Sequence, residues 1–393
     1  MKIAIISDMH IGYERFRSDA YAQASEALVS ASKVSDAIII PGDIFDFRHP
    51  KPDVIAEAMG LFRELPVENL SARVVEYDGL RKTYTKLPII AIPGTHERRA
   101  DGDTDPVDLL TLAGLVVNVN QGRAIIEKDG ERVAIYGVGG VAEERFRETL
   151  NRLNPTPLDG LFNIFMFHQS VYELLPFSND FVRIEELPKG FDLYVDGHIH
   201  NKVEMKCHGK DFLIPGSTVL TQLKDAEQEG KGFFVYDTGR FTHSFEEIKS
   251  RKFFNVKLKI DGKEPNEINE TMENEIVRIK DLEKNPIIRF ELSGDLKQGF
   301  KNIDIESRPH KDDKEIIVEV SKSRLNNGAQ KDVEVQEGIS NNISIRDFGM
   351  SVFISKLKDS GYALSDPISL FDILSSEDKK ENVLRKAVDS VLD

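Results

Sequence analysis

The sequence predicts an α/β fold, a parallel-rich sheet and a second sheet flanked by helices, and three observations point to it. Five apolar runs, residues 2–7, 38–40, 87–93, 162–167 and 191–196, read as buried strands, and each ends on a carboxylate or an imidazole. Between the first of these lie segments with helical period: 17–33 places Tyr21, Ala24, Ala27, Leu28 and Ala31 on one face, and 52–64 does so with Val54, Ala58, Leu61 and Phe62. From residue 115 the texture changes to short strands, 116–119, 123–127 and 133–136, separated by Asn, Gly and Asp, as in a sheet of hairpins.

The elements follow in order. Residues 2–7 deliver Asp8-Met9-His10, and after the first helix residues 38–40 run into Pro41-Gly42-Asp43, a turn in which Pro fixes φ and Gly tolerates unusual angles. Pro52 suits the start of the second helix. Residues 66–86 carry mixed charge without a clean period and read as a helix and loop. The strand at 87–93 leads to Gly94-Thr95-His96-Glu97, and Asp105-Pro106 opens a short helix from Val107 to Ala113 that Gly114 closes. Gly137-Val138-Gly139-Gly140 follows a strand but lacks dinucleotide-binding spacing, so it reads as a tight turn. Residues 142–153 form a charged helix. The next strands deliver His168 and then Gly197-His198-Ile199-His200, and runs at 212–214 and 232–236 close the sheets.

Residues 251–321 read as a separate α+β module, with strands at 253–260, 287–292 and 315–320 and a helix at 266–279. Residues 322–342 are polar and read as a linker. Ser344 caps one short amphipathic helix, and Ser375 or Ser376 starts another; two such helices cannot bury their faces alone, so they dock on the body or on a partner. The predicted organisation is thus 1–250, 251–321, 322–342 and 343–393.

The 393 residues can bury a large core, and the net charge of −15 argues against a generally basic nucleic-acid surface, though bound cations or a local patch can still carry phosphates. The lone Cys207 excludes internal disulfides and suits a reducing cytoplasm; beside His208 in a polar turn it reads as an ordinary turn residue. No run approaches a membrane span, and the N-terminus has no signal-peptide pattern. If the five strand ends meet on one edge, they bring two Asp and five His to one crevice. Buried charge of that density requires pairing or metal, and imidazole with carboxylate suits Zn, Mn or Fe. A two-metal clamp on a phosphoryl group needs a bridging carboxylate, for which Asp43 is the candidate, and a proton donor near the leaving group, for which His96 is the candidate.

The ordered set Asp-x-His, Gly-Asp-x-x-Asp, Gly-x-His-Glu, a lone His and Gly-His-x-His resembles the calcineurin-like metallophosphoesterases over about residues 1–245. The resemblance implies a two-sheet metallophosphoesterase sandwich. It also implies that Asp8, His10, Asp43 and His200 hold one metal, that Asp43, Thr95, His168 and His198 hold the other, and that His96 is the acid or transition-state stabiliser. Within that superfamily, residues 105–116, Ile214-Pro215-Gly216-Ser217-Thr218 with Lys231-Gly232-Phe233, and the domain layout resemble the SbcD/Mre-eleven-type nucleases of DNA double-strand-break repair.

That likeness implies a nucleoid-associated DNA exo/endonuclease using two Mn²⁺ per subunit. It implies a small α+β capping domain at 251–321 and a C-terminal helix pair at 343–393 that binds an SMC-like Rad-fifty ATPase. It also implies a homodimer through helices near 50–64, acting on duplex and single-stranded DNA ends. The alternative is a phosphoesterase of nucleotides or phosphoproteins that needs no ATPase. Three positions depart from the pattern: Thr95 stands where Asn is usual, Asp46 where many of these nucleases have His, with His49 nearby, and residues 66–86 are longer than the usual connection.

Overall fold

A computed structural model describes residues 1–66, 72–77, 87–99, 103–176, 180–223, 225–305 and 316–326, of which Met1–Leu325 form one compact unit. The predicted helices after residue 343 lie outside the described residues, as does most of the predicted linker.

The first half alternates strand and helix. Strand β1 (Lys2–Ile5), helix α1 (Arg17–Val34), β2 (Ala37–Ile40), α2 (Pro52–Arg63), β3 (Arg73–Tyr77), β4 (Ile89–Ala91), α3 (Pro106–Leu112) and β5 (Val117–Asn118) come in that order. Next are β6 (Gly122–Lys128), β7 (Glu131–Val138), α4 (Glu143–Leu153), β8 (Phe162–Phe167), β9 (Leu193–Asp196), β10 (Val203–Cys207), β11 (Lys210–Ile214), β12 (Gly232–Asp237) and β13 (Thr242–Glu247). The last stretch holds β14 (Phe253–Lys259), α5 (Pro265–Leu282), β15 (Ile287–Asp295) and β16 (Ile317–Asn326).

Two sheets pack face to face. One is six-stranded in the order β13-β12-β1-β2-β4-β5, the other seven-stranded in the order β10-β11-β9-β8-β7-β6-β3. The period-2 alternation of each strand assigns its two faces. Ile3, Ile5, Ile39 and Ile90 point into the interior between the sheets, where they meet Ile126, Val133, Ile135, Ile164 and Leu193. Ala4, Ile38, Ile40 and Ala91 point the other way, against Ala24, Leu28 and Ala31 of α1 and Val54, Ala58 and Phe62 of α2. The far face of the second sheet packs Tyr136, Phe165 and Phe167 on Phe146 and Leu150 of α4. Burial on both faces is why these strands read as continuous apolar runs.

The five motif-bearing strands do not share one sheet: β1, β2 and β4 are parallel neighbours in the first, whereas β8 and β9 are parallel neighbours in the second. Apolar runs identify buried strands but not which of two stacked sheets a strand joins. The crevice therefore lies across the ends of both sheets. Residues 73–77, expected as helix and loop, form an edge strand antiparallel to β6. The polar edge strands β10 and β13 also went unread, since their charged outward residues mask the alternation.

Strands β14, β15 and β16 form a three-stranded sheet, in that order, covered by α5 through Ile268, Met272, Ile276 and Ile279. Strand β16 runs to Asn326, so residues 322–326, assigned to the linker from their polarity, belong to the sheet. Among the described residues no helix is long and apolar enough to cross a membrane.

Candidate metal centre

Each motif begins where a strand stops. Asp8, His10, Asp43 and His198 all adopt left-handed backbone, with φ of 49°, 46°, 50° and 69°. Asp and His are among the few side chains that enter this region, and its cost of roughly 1–3 kcal/mol persists where function requires the geometry. Gly42, at φ +96°, and Gly94 let the β2 and β4 loops touch: a side chain on Gly42 would collide with His168, and one on Gly94 with Asp43. Glu97, wholly buried, joins the same two loops by accepting the backbone N–H of Phe45 at 2.8 Å and that of Gly94 at 2.8 Å. Burial and the neighbouring Asp43 push its carboxyl up to about 8. The motif spelling Gly-x-His-Glu shows this residue, but sequence reasoning gave it no role.

Two predicted ligands, Asp8 and Asp43, are buried beside each other, and the imidazoles of His10, His168 and His200 share donor groups with them. His10 Nε2 lies 3.1 Å from His200 Nε2, and Asp8 Oδ1 is 3.6 Å from the latter and 4.0 Å from the former. His168 Nε2 lies 3.3 Å from Asp43 Oδ2 yet makes no hydrogen bond of acceptable geometry. Three donor groups could hold a cation among the described residues: Asp8–His10–His200, Asp8–Asp43–His168, and His10–Asp46–His96. Asp8 belongs to two of them and Asp43 to one. Asp43 Oδ1 also accepts the backbone N–H of His96 at 2.9 Å.

The outer nitrogens decide how the rings face. His168 Nδ1 is 2.7 Å from Pro41 O, which can only accept, so Nδ1 carries a proton and Nε2 is the nitrogen that faces inward. His10 Nδ1 lies 3.1 Å from Asp46 Oδ1, and His200 Nδ1 lies 2.6 Å from Thr221 Oγ1. An outer N–H given to a carboxylate or carbonyl, as His168 gives its own to Pro41 O, is the usual support of a metal-ligating imidazole. Inner nitrogens about 3 Å apart match the edge of a coordination polyhedron with bonds of about 2.1 Å. The donor set thus fits a divalent cation.

The electrostatics agree. Burial pushes Asp8 up to about 6, reinforced by Asp43 and opposed by His168. Burial alone would lower His168, but Asp43 and Asp8 outweigh it and push it up to about 10. The site, read as bare side chains, draws in positive charge.

The remaining predicted residues are placed as follows. His198 donates its backbone N–H to Asp8 Oδ1 at 3.1 Å, its ring centroid is 5.3 Å from that of His168, and its Nε2 is 2.9 Å from Ser170 Oγ. His198 is in none of the three tight donor groups. Thr95 sits half-buried in the turn between Gly94 and His96. The His96 side chain is 44% exposed at the rim, its ring centroid 4.9 Å from that of His10 and its Nδ1 2.8 Å from Asp46 O. His49, the other candidate for the usual His position, turns away: Arg99 Nη1 lies 2.6 Å from its Nδ1, and Asp46 takes the place beside His10. Gly140 donates its N–H to Pro93 O at 2.7 Å, so the glycine run packs the β7 end against the β4 loop rather than cradling phosphate. Cys207 is buried in β10, and His208 Nε2 is 2.9 Å from Leu187 O, apart from the centre.

A sandwich of two sheets whose strand ends converge on buried Asp and His donors defines a metal-dependent phosphoesterase. A family profile for calcineurin-like phosphoesterases matches residues 1–202, and the chain belongs to that family. Curated relatives include the "DNA double-strand break repair protein Mre11" of Methanopyrus kandleri, 28% identical over 264 residues that cover 61% of this chain and 54% of that protein. The protein so named from Saccharolobus solfataricus is 26% identical, covering 60% of each chain, and that of Methanocaldococcus jannaschii is 25% identical over 77% of this chain and 80% of its own. The chain spans little more than half the length of the first of these relatives.

Proposed function

We propose that this chain is the manganese-dependent nuclease subunit of a DNA double-strand-break repair complex, hydrolysing phosphodiester bonds at DNA ends. The observation that carries the reading is the continuous donor set Asp8, His10, Asp43, His168 and His200, with His96 exposed at its rim. Relatives named for break repair support the choice of DNA.

Asp8, His10, Asp43 and His200 would hold one Mn²⁺; Asp43, His168, His198 and Thr95 would hold the second. Such a pair supplies positive charge for the phosphoryl oxygens and lowers the pKa of water. The chain's own side chains do the rest. Asp43 fixes the turn that presents His96 by accepting its backbone N–H. Asp46 O accepts His96 Nδ1–H, so the ring must be imidazolium to act as the acid: Nε2–H gives its proton to the leaving oxygen and the ring is left neutral with Nδ1–H still on Asp46 O. Exposure of His96 leaves room for a polymeric substrate to reach it. End-labelled duplex and single-stranded DNA incubated with Mn²⁺, Mg²⁺ or EDTA tests the reading: Mn²⁺-dependent cleavage is expected, and cleavage of nucleotides or phosphopeptides without any of DNA refutes it.

Thr95 makes the two sites unequal. A Thr hydroxyl is shorter and a poorer metal donor than the amide carbonyl of Asn. Thr95→Asn is expected to tighten the weaker site and lower the Mn²⁺ needed for half-maximal activity. Calorimetric titration decides it, and two equal sites in the unaltered protein, unchanged by Thr95→Asn, would remove the argument.

Residues 343–393 would bind an SMC-like Rad-fifty ATPase. Deleting them is expected to spare Mn²⁺-dependent cleavage and abolish co-purification with the ATPase; retained binding refutes the assignment. The homodimer would form near residues 50–64.

A further inference from the structure

We propose that Thr221 and Glu227 are positioning residues that fix the tautomer and aim of the His200 ring. The Thr221 hydroxyl has a single proton, and it goes to Glu227 Oε1 at 3.1 Å, since a carboxylate only accepts. Toward His200, 2.6 Å away, Thr221 Oγ1 therefore accepts, and His200 Nδ1 carries the ring proton. The Nε2 lone pair then faces Asp8 and His10, as a cation ligand must.

Glu227 cannot swing away from this duty. It accepts the backbone N–H of Thr221 at 2.9 Å, of Gln222 at 2.7 Å and of Leu223 at 2.6 Å, and Lys231 Nζ lies 3.4 Å from it. Lys231 Nζ also donates to His200 O at 3.1 Å and to Ser217 Oγ at 3.0 Å. One buried network thus holds both the ring and the backbone of His200. A buried Glu–Lys pair adds little net stability over apolar side chains of the same size, so its stability value alone does not account for it.

The loop carrying these residues is anchored on its other side too. Leu223, at φ +52° and fully buried, packs with Phe16, Ala20, Phe253 and Ile287, and its carbonyl accepts from Arg289 Nη1 at 2.9 Å. Asp225 accepts from Asn255 Nδ2 at 2.6 Å and Lys257 Nζ at 2.5 Å. The three-stranded sheet therefore grips the same loop that orients His200.

The inference rests on His200 being a metal ligand, and the experiment separates the two. In EDTA-treated full-length protein labelled with ¹⁵N-histidine, long-range ¹H–¹⁵N correlation reads the His200 tautomer without metal. The expected form is Nδ1–H. Thr221→Val keeps the shape but removes the acceptor, so the ring should shift toward Nε2–H, where Asp8 can accept; Thr221→Ser should restore Nδ1–H. Calorimetry with Mn²⁺ should show one site weakened about 10–100-fold in Thr221→Val and unaltered in Thr221→Ser. An Nε2–H tautomer in the unaltered protein, or a Thr221→Val protein with unchanged tautomer and unchanged Mn²⁺ affinity, overturns the proposal. Unchanged Mn²⁺ affinity in His200→Ala would instead sink the ligand reading, while the His200 tautomer of the unaltered and Thr221-substituted proteins still tests the positioning role.

Discussion

Asp43→Ala is expected to remove measurable hydrolysis while the chain stays folded. Asp43 stands at the meeting of the β2 and β4 loops, with Oδ2 toward His168 and Oδ1 on the His96 N–H. Its loss would remove a negative charge that the proposed cations would share, and it releases the turn that carries His96. The cost should be at least the roughly 10²–10³-fold that follows loss of one electrostatic donor in an active site. Alanine is also disfavoured at φ +50°, by roughly 1–2 kcal/mol. Asp43→Asn provides the control, because Asn tolerates that backbone and can still accept the His96 N–H. Both variants should lose activity, and Asn should keep the melting temperature. Cleavage at the level of the unaltered protein by a clean Asp43→Ala preparation would end the two-metal reading.

His96→Ala should behave differently: metal stoichiometry stays, and kcat falls roughly 10²–10⁴-fold, the range of general acid–base catalysis. The ring sits at the rim with Nδ1 on the Asp46 carbonyl, outside the deepest donors. Its backbone N–H, which holds Asp43, survives the substitution. Calorimetry with Mn²⁺ beside single-turnover cleavage separates the possibilities. A fall in bound metal in His96→Ala would make His96 a ligand through the His10–Asp46–His96 group and overturn its role as proton donor.

The candidate donors that share the three groups are legible in the sequence because their motifs sit where apolar runs stop abruptly at Asp, His or a tight turn. What surrounds them is not. Glu97, which ties the β2 and β4 loops, looks in the sequence like one more charged residue in a loop. Thr221, Glu227 and Lys231 lie 21–31 residues beyond His200 in a polar stretch with no period, and only the fold brings them to its ring. The choice between Asp46 and His49 beside His10 is likewise not written in the local sequence; it follows from Arg99, which engages His49 and leaves Asp46 beside His10.

The sequence by itself determined which strands are buried, where they end and which donors those ends carry. Hydrophobic periodicity and turn chemistry are local, so they survive in the linear order of residues. Tertiary structure decided that β8 and β9 join a second sheet stacked on the first, so that Asp8 and His168, 160 residues apart, stand in one donor group. It also decided which nitrogen of each imidazole faces inward, because that depends on acceptors such as Pro41 O and Thr221 Oγ1 supplied from distant segments. Sheet partnership and hydrogen-bond partners are contacts between remote parts of the chain, and no local pattern encodes them.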